Sequence, residues 1–247
     1  TNAASNLVLN GGSLQYTGGA TSTDRLFSVG SNGGTLDASG TGAVNFTNTG
    51  SMGFNGQSGI RTLTLTGTNT GGNTLAAVIG DNGGATVLTK SGTGAWVLTG
   101  ANTYTGATTV NAGTLQIGDG TTVGTSIQAS GTVAVNVTST LAVLLPNAGA
   151  FNNNVNLNAA GTTFNTLVAA GTTNTIGGNI TGAAGTNILQ SGAGTAVLTG
   201  NNATFAGTTT IAAGTLQLGL LGAGGALGAG PIVNNGILVL EEWFAAQ

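Results

Sequence analysis

SGTGAWVLTGANTYTGATTVNAGTLQIG runs from Ser91 to Gly118, and SGAGTAVLTGNNATFAGTTTIAAGTLQLG runs from Ser191 to Gly219. With one residue inserted near Ala203, 18 of the 28 positions are the same. Most of the differences are mild, such as Tyr104 against Phe205 and Val110 against Ile211. Self-similarity of this kind marks an architecture made by stacking like units. A shorter element, Gly-Ser/Thr-Leu-Gln/Asp, opens at Gly12, Gly34, Gly113 and Gly214, with a looser form at Gly236. Gly12 and Gly34 are 22 residues apart, and so are Gly214 and Gly236.

Within each unit apolar and polar residues alternate. Thr62-Leu63-Thr64-Leu65-Thr66 has period two, as do Thr114-Leu115-Gln116-Ile117 and Val133-Ala134-Val135-Asn136-Val137. Such alternation predicts half-buried strands. Between the strands stand Asn10-Gly11, Asn32-Gly33, Asn55-Gly56, Asn82-Gly83 and Asn235-Gly236, the residues that tight corners with positive φ require. Short strands, tight corners and one period predict an all-β fold, a parallel β-solenoid. At roughly 20–22 residues per rung the chain makes about 11 rungs, each stacked about 4.8 Å from the next. Leu, Val and Ile face inward, and outward Asn can form amide ladders. A two-sheet sandwich or barrel also uses short alternating strands, but it needs no 22-residue period. Residues 1–240 are expected to form one β-helix, with its strongest repeats at 88–118 and 188–219, and 241–247 to form a C-terminal tail or cap.

Composition removes several kinds of chemistry. Of 247 residues 47 are Gly, and only 3 are basic and 6 acidic. There is no Cys and no His, so thiolate nucleophiles, Cys-ligated zinc and the commonest general base are absent. Three cations do not make a phosphate-binding surface, and nucleic acid is not an expected partner. No charged residue occurs between Gly120 and Leu240, which implies a surface wetted by hydroxyls and amides. No apolar window is long enough for a membrane-spanning helix. The opening Thr1-Asn2-Ala3 has neither the basic nor the apolar region of a signal peptide.

The segment Leu88 to Gly118 resembles the autotransporter-associated β-strand repeat, also called the passenger-associated transport repeat. The resemblance is carried by Lys90, Ser91, Gly92, Gly94, Trp96, Leu98, Gly100, Asn102, Tyr104, Gly106, Thr108, Gly113, Thr114 and Leu115. The second copy keeps Ser191, Gly192, Gly194, Leu198, Gly200, Asn202, Gly207, Thr209, Gly214 and Leu216. It departs at Gln190, where the family favours Lys, and at Ala196, where it favours Trp. The resemblance implies a right-handed parallel β-helix on the bacterial surface or secreted from it, in a passenger exported through an outer-membrane β-barrel. It implies a scaffold and defines no active site.

The few titratable residues are the remaining candidates for chemistry. Asp37 and Asp81 are 44 residues apart, which would put them on one face about two rungs, or ~10 Å, from each other, too far for a glycosidase pair. Asp24, Arg25 and Arg61 could form an ion pair across rungs, and Lys90 is expected at a corner. Glu241 and Glu242 would point to opposite faces of a strand. No catalytic, cofactor-binding or metal-binding residues are assigned, and no cofactor is expected. Trp96 and Tyr104 are the candidates for stacking on a glycan, provided that their rings are exposed. Thr62, Thr64, Thr66 and Thr68 have the spacing of an ice-binding face within one segment, but Thr108-Thr109 and Thr208-Thr209-Thr210 do not repeat it.

These readings predict a non-catalytic extracellular structural protein. It would be a β-helical passenger, stalk or fibre segment of an autotransporter-like surface adhesin. The expected partners are other copies, end to end or side by side, or a cell-surface glycan. A carbohydrate-binding or carbohydrate-active β-helix module is the alternative.

Overall fold

A strand that buries one face and wets the other still needs a backbone partner on its edge. Here the partner is the equivalent stretch one coil earlier or later. The computed structural model describes residues 2–127, 131–220 and 225–241. The chain divides into two compact units, residues 1–118 with 124–131, and residues 119–123 with 132–247. Among the described residues there is no α-helix, only a 3-10 turn at Ala4–Asn6. The all-β parallel solenoid predicted from the periodicity is what forms.

In the first unit one sheet stacks Ser13–Tyr16, Gly34–Ala38, Arg61–Thr66, Thr86–Lys90 and Thr108–Val110. A second stacks Thr21–Thr23, Val44–Phe46, Asn73–Leu75, Ala95–Leu98 and Thr114–Ile117. A narrow third side pairs Val8–Leu9 with Ser28–Val29 and continues as single bridges, Ser28 to Gly53 and Ser51 to Val78. In the second unit one sheet stacks Thr140–Val143, Thr163–Thr166, Asn187–Gln190, Thr208–Ile211 and Ile232–Asn234. Beside it stack Ala150–Phe151, Thr173–Ile176, Thr195–Leu198, Thr215–Leu218 and Ile237–Leu240. Among the described residues all strand-to-strand pairings are parallel, as in the register Thr195 to Thr215 and Thr215 to Ile237.

Among the described residues each unit therefore winds through five coils, ten in all against the eleven expected. Coil length is less uniform than 20–22. The register steps by 19 residues from Ala95 to Thr114 and by 29 from Gly34 to Leu63. The extra residues sit in corners, where length is cheap, because the strands carry the pairing. The spacing of 22 is nevertheless real where the sequence displays it: Ser13 registers with Thr35, and Thr215 with Ile237.

Alternation sorts the side chains. Leu63, Leu65, Leu88 and Val110 are buried, while Thr62, Thr64 and Thr89 between them are half-exposed. Ser13, Thr35, Thr64, Thr89 and Thr109 form one outward column, coil upon coil. Outward Asn side chains bond from coil to coil, amide to amide where Asn158 Nδ2 donates to Asn136 Oδ1 at 2.8 Å, and to backbone amides elsewhere. Asn154 Oδ1 accepts from the Asn179 amide at 2.9 Å, and Asn179 Oδ1 from the Asn201 amide at 2.8 Å. Such bonds satisfy backbone groups at corners where no strand partner reaches.

Gly113 and Gly214 show what stacking demands of a corner. Both have φ of +62°. A Cβ at Gly113 would strike the carbonyl oxygens of Gly94 and Gly92, and one at Gly214 those of Gly192 and Gly194. Val137 shows the opposite case: a β-branched residue at φ +48°, 61% exposed, at the corner after Thr132–Val135. Positive φ is strained for such a residue.

Gly214→Ala is expected to lower stability by about 2–4 kcal/mol, because left-handed strain and a backbone clash act together. Val137→Asn is expected to raise stability by about 1 kcal/mol, since Asn tolerates that conformation. Denaturant titration of the two variants checks both signs.

Candidate functional site

The two repeats place the same parts at the same stations. The first runs through Thr86–Lys90, Ala95–Leu98, Thr108–Val110 and Thr114–Ile117, and the second through Asn187–Gln190, Thr195–Leu198, Thr208–Ile211 and Thr215–Leu218. Period-two geometry decides which side chains enter the coil.

Lys90 enters it. It stands in the inward column Leu14, Leu36, Leu65, Lys90, Val110 and is fully buried. Its Nζ donates to the carbonyls of Ser91 at 2.7 Å, Gly92 at 2.8 Å and Ala112 at 3.0 Å. The expected corner lysine is thus an interior one, with three backbone carbonyls in place of water. Gln190 does the same work without charge. Its Nε2 donates to the carbonyls of Gly192 at 2.7 Å and Gly194 at 3.2 Å, and its Oε1 accepts from the Thr166 hydroxyl.

Asn102 and Asn202 are the second matched pair, and both are buried. Asn102 Oδ1 accepts from the Ile79 amide at 2.8 Å, and its Nδ2 donates to the carbonyls of Gly100 at 3.1 Å and Ser126 at 2.9 Å. Asn202 Oδ1 accepts from the Ile180 amide at 2.6 Å, and its Nδ2 donates to Gly200 at 3.2 Å. Each is a clip between adjacent coils.

Trp96 and Tyr104 are 1% exposed each. Stacking on a sugar needs an open ring face, and neither residue offers one. Trp96 Nε1 donates to the Thr66 carbonyl at 2.8 Å, and its ring stacks on Phe46 with centroids 6.3 Å apart. Tyr104 shares a 2.7 Å hydrogen bond with Thr108 Oγ1, and burial pushes its phenol pKa up. Phe205, which has no hydroxyl, fills the matching station and is buried too. The repetition of Asn at one station, and the exchange of one long donor for another at Lys90 and Gln190, were the sequence signals for this polar interior.

Asp37 and Asp81 do not converge. Asp37 registers with Gln15 on one side and Thr66 on the other. Asp81 lies in the loop before Thr86–Lys90, so the two-rung estimate fails, because one intervening coil is 29 residues long. Asp81 accepts from the Thr86 amide at 2.7 Å and the Thr105 amide at 2.9 Å. Partial burial raises its pKa, but the bonds from Thr105 and Thr86 outweigh it and hold the carboxyl low. At Asp119 burial also raises, and the bonds from Thr122 and Thr121 bring the carboxyl down to about 2.

Arg61 makes no pair with Asp24, whose Oδ2 accepts from Asn2. It is buried, and its guanidinium donates to the carbonyls of Val29, Gln57, Gly59 and Asn82. It also lies 4.7 Å from the Phe54 ring centroid. Arg61 therefore ties down the corner of the 29-residue coil. Glu241 donates its backbone amide to the Leu218 carbonyl at 2.9 Å, while Glu242 and the rest of the expected tail, residues 242–247, lie outside the described residues.

Among the described residues no three of His, Cys, Asp and Glu gather as a metal ion would need. No helix there is long and apolar enough to cross a membrane. A cleft of about 440 Å³ opens beside Ser13–Tyr16 and Thr21–Thr23, lined by Leu7, Leu14, Tyr16, Arg25, Val44 and Phe46. Leu14 and Phe46 in its lining belong to the inward faces of the neighbouring strands, and Gln15, Ser22 and Arg25 line it too.

The recurring polar stations, Lys90 with Gln190 and Asn102 with Asn202, are thus spent on holding coil to coil. Two segments, residues 88–117 and 188–218, match the passenger-associated-transport-repeat. A 126-residue stretch is also 48% identical to the "Adhesin BmaC autotransporter" of Brucella suis biovar 1 (strain 1330). That stretch is 50% of this chain, and the chain spans about 4% of the length of that curated relative. No solved structure matches. In the two matching segments, the glycines, the buried donor at Lys90 or Gln190 and the Asn clip hold one coil against the next.

Burial pushes the Lys90 ammonium down to about 8 from 10.5; the carbonyl cage does not fully replace lost hydration. Between those values the unfolded chain holds more protons than the folded one, so stability rises with pH across the window and is lost as pH falls towards 8. Lys90→Gln, which installs the side chain found at Gln190, is expected to fold and to flatten this rise. Denaturant midpoints measured across the window check it, and an unchanged slope in the variant counts against the role given to Lys90.

Proposed function

We propose that this chain is a length of β-helical passenger or stalk from an autotransporter-type surface adhesin, exposed outside a bacterial cell and without catalytic activity. The observation that carries the reading is that the repeat's recurring side chains face inward and bond backbone to backbone, so the repeat makes length and rigidity. Residues 1–240 serve as one structural segment in this reading. Each five-coil unit rises about 24 Å at the spacing of stacked strands. The match to an adhesin autotransporter supports the setting. The absence of charge from Gly120 to Leu240 supports a surface that does not repel neighbouring copies, so side-by-side or end-to-end self-association belongs to the proposal, with the cell-surface ligand held beyond these coils.

The test places these coils in a displayed passenger with its outer-membrane barrel and removes whole coils in steps. Adhesion is expected to fall as reach shortens, while the purified chain added in solution leaves adhesion unchanged. Inhibition by the purified chain would instead put the ligand site on these coils and overturn the stalk reading.

A further inference from the structure

Five Asn-Gly pairs mark the corners, and the fold treats one of them differently. At Asn10-Gly11 both partners are tied: Asn10 Oδ1 accepts from the Asn32 amide at 3.2 Å, and the Gly11 amide donates to the Gly33 carbonyl at 2.7 Å. At Asn32-Gly33 the Gly33 amide donates to the Gly30 carbonyl at 3.0 Å, and Gly33 is buried. At Asn82-Gly83 the side chain is held, with Nδ2 donating to the Gln57 carbonyl at 3.0 Å. At Asn235-Gly236 the Gly236 amide donates to Asn234 Oδ1 at 3.1 Å.

Asn55-Gly56 has neither lock. Both residues are exposed, with φ of +54° and +66°, in a turn closed by the Gln57 amide on the Phe54 carbonyl at 3.0 Å. A Cβ on Gly56 would meet nothing within 4 Å. An attacking amide must be unbonded and its approach open, and a leaving amide must be free to turn.

The geometry points to Asn55 as a site of spontaneous covalent modification: the Gly56 amide nitrogen closes on Asn55 Cγ, and Asn55 becomes aspartate or isoaspartate while the other four pairs are held back. The bond from Gly56 N to Asn55 Cγ forms, and the bond from Cγ to Nδ2 breaks. The Gly56 amide proton leaves with the departing nitrogen as ammonia, giving a succinimide. Water then opens the ring at either carbonyl, and no oxidant or reductant is needed. The product gains one negative charge, and isoaspartate lengthens the main chain between Phe54 and Gln57. That turn matters to its neighbours, because Gln57 Oε1 accepts from the Ser31 amide at 2.7 Å and the Gln57 carbonyl accepts from Asn82 and Arg61. Modification of Asn55 would therefore loosen one corner shared by three coils.

The intact folded chain is held in warm, mildly alkaline buffer and sampled over days. Peptide mapping by mass spectrometry follows all five sites, with the same chain in denaturant as reference. Folded Asn55 is expected to convert at least about tenfold faster than the other four, a difference of about 1.4 kcal/mol in barrier. In denaturant the five rates should come together. Asn55→Gln should remove the early product and leave the other sites unchanged. The inference is overturned if another Asn-Gly pair leads in the folded chain, if all five keep pace there, or if Asn55 leads by the same factor in denaturant.

Discussion

Parallel strands of successive coils sit about 4.8 Å apart, and the rest of this molecule follows from keeping that distance through every corner. Along the strands the spacing is set by amide-to-carbonyl bonds, which any residue can make. At the corners the chain turns while its neighbour lies at the same close distance. Gly113 and Gly214 stand where even a methyl group would meet the carbonyls of the coil before. Inside, the coil is filled by Leu, Val, Ile and aromatic side chains, so a polar side chain that enters must find backbone groups to bond. Lys90, Gln190, Asn102 and Asn202 all do so. The repeat signature is a list of what close stacking requires.

Much of this could be read from the sequence. The alternation at Thr62 to Thr66 gave the strand Arg61–Thr66 and its buried face, and the spacing of Gly12 and Gly34 gave the register of Ser13 with Thr35. Parity also carried more than residue type suggested. Arg61 has the parity of Leu63 and Leu65, and Lys90 that of Leu88. Alternation alone puts both cations inside, where they are found. Charge argued for the outside because burying an unpaired cation is costly. The cost is met by backbone carbonyls at corners, which leave no mark in a local pattern. Coil length was illegible for a related reason: insertions enter at corners and leave the strands' alternation intact, so the 29-residue step from Gly34 to Leu63 does not show.

The aromatic residues followed the same division. Trp96 and Tyr104 are large, amphipathic and conspicuous in the better repeat, which made them candidates for an outside role. In the coil their polar atoms reach Thr66 and Thr108, so both ring and heteroatom are satisfied indoors. Ala196 and Phe205 hold the matching stations in the second copy. A station that accepts Trp or Ala, Tyr or Phe, is one where packing volume can be supplied by neighbours. Anything these coils present to another molecule is carried by outward columns such as Ser13, Thr35, Thr64, Thr89 and Thr109, about which the repeat says nothing.

The scarcity of charge has the same origin. In-register parallel stacking sets outward side chains one coil apart in columns. Two like charges at that separation repel by about 0.9 kcal/mol even at the dielectric constant of water, and by several-fold more near a protein surface. A charged residue repeated on every coil would add that penalty at each step. Thr and Asn avoid it and gain a bond instead, as in the ladder from Asn154 through Asn179 to Asn201. The carboxylate of Asp37 fits the rule: its column neighbours are Gln15, which donates to it at 3.0 Å, and Thr66. A neutral hydroxyl and amide surface is therefore what a solenoid of near-identical coils selects, before any partner acts on it.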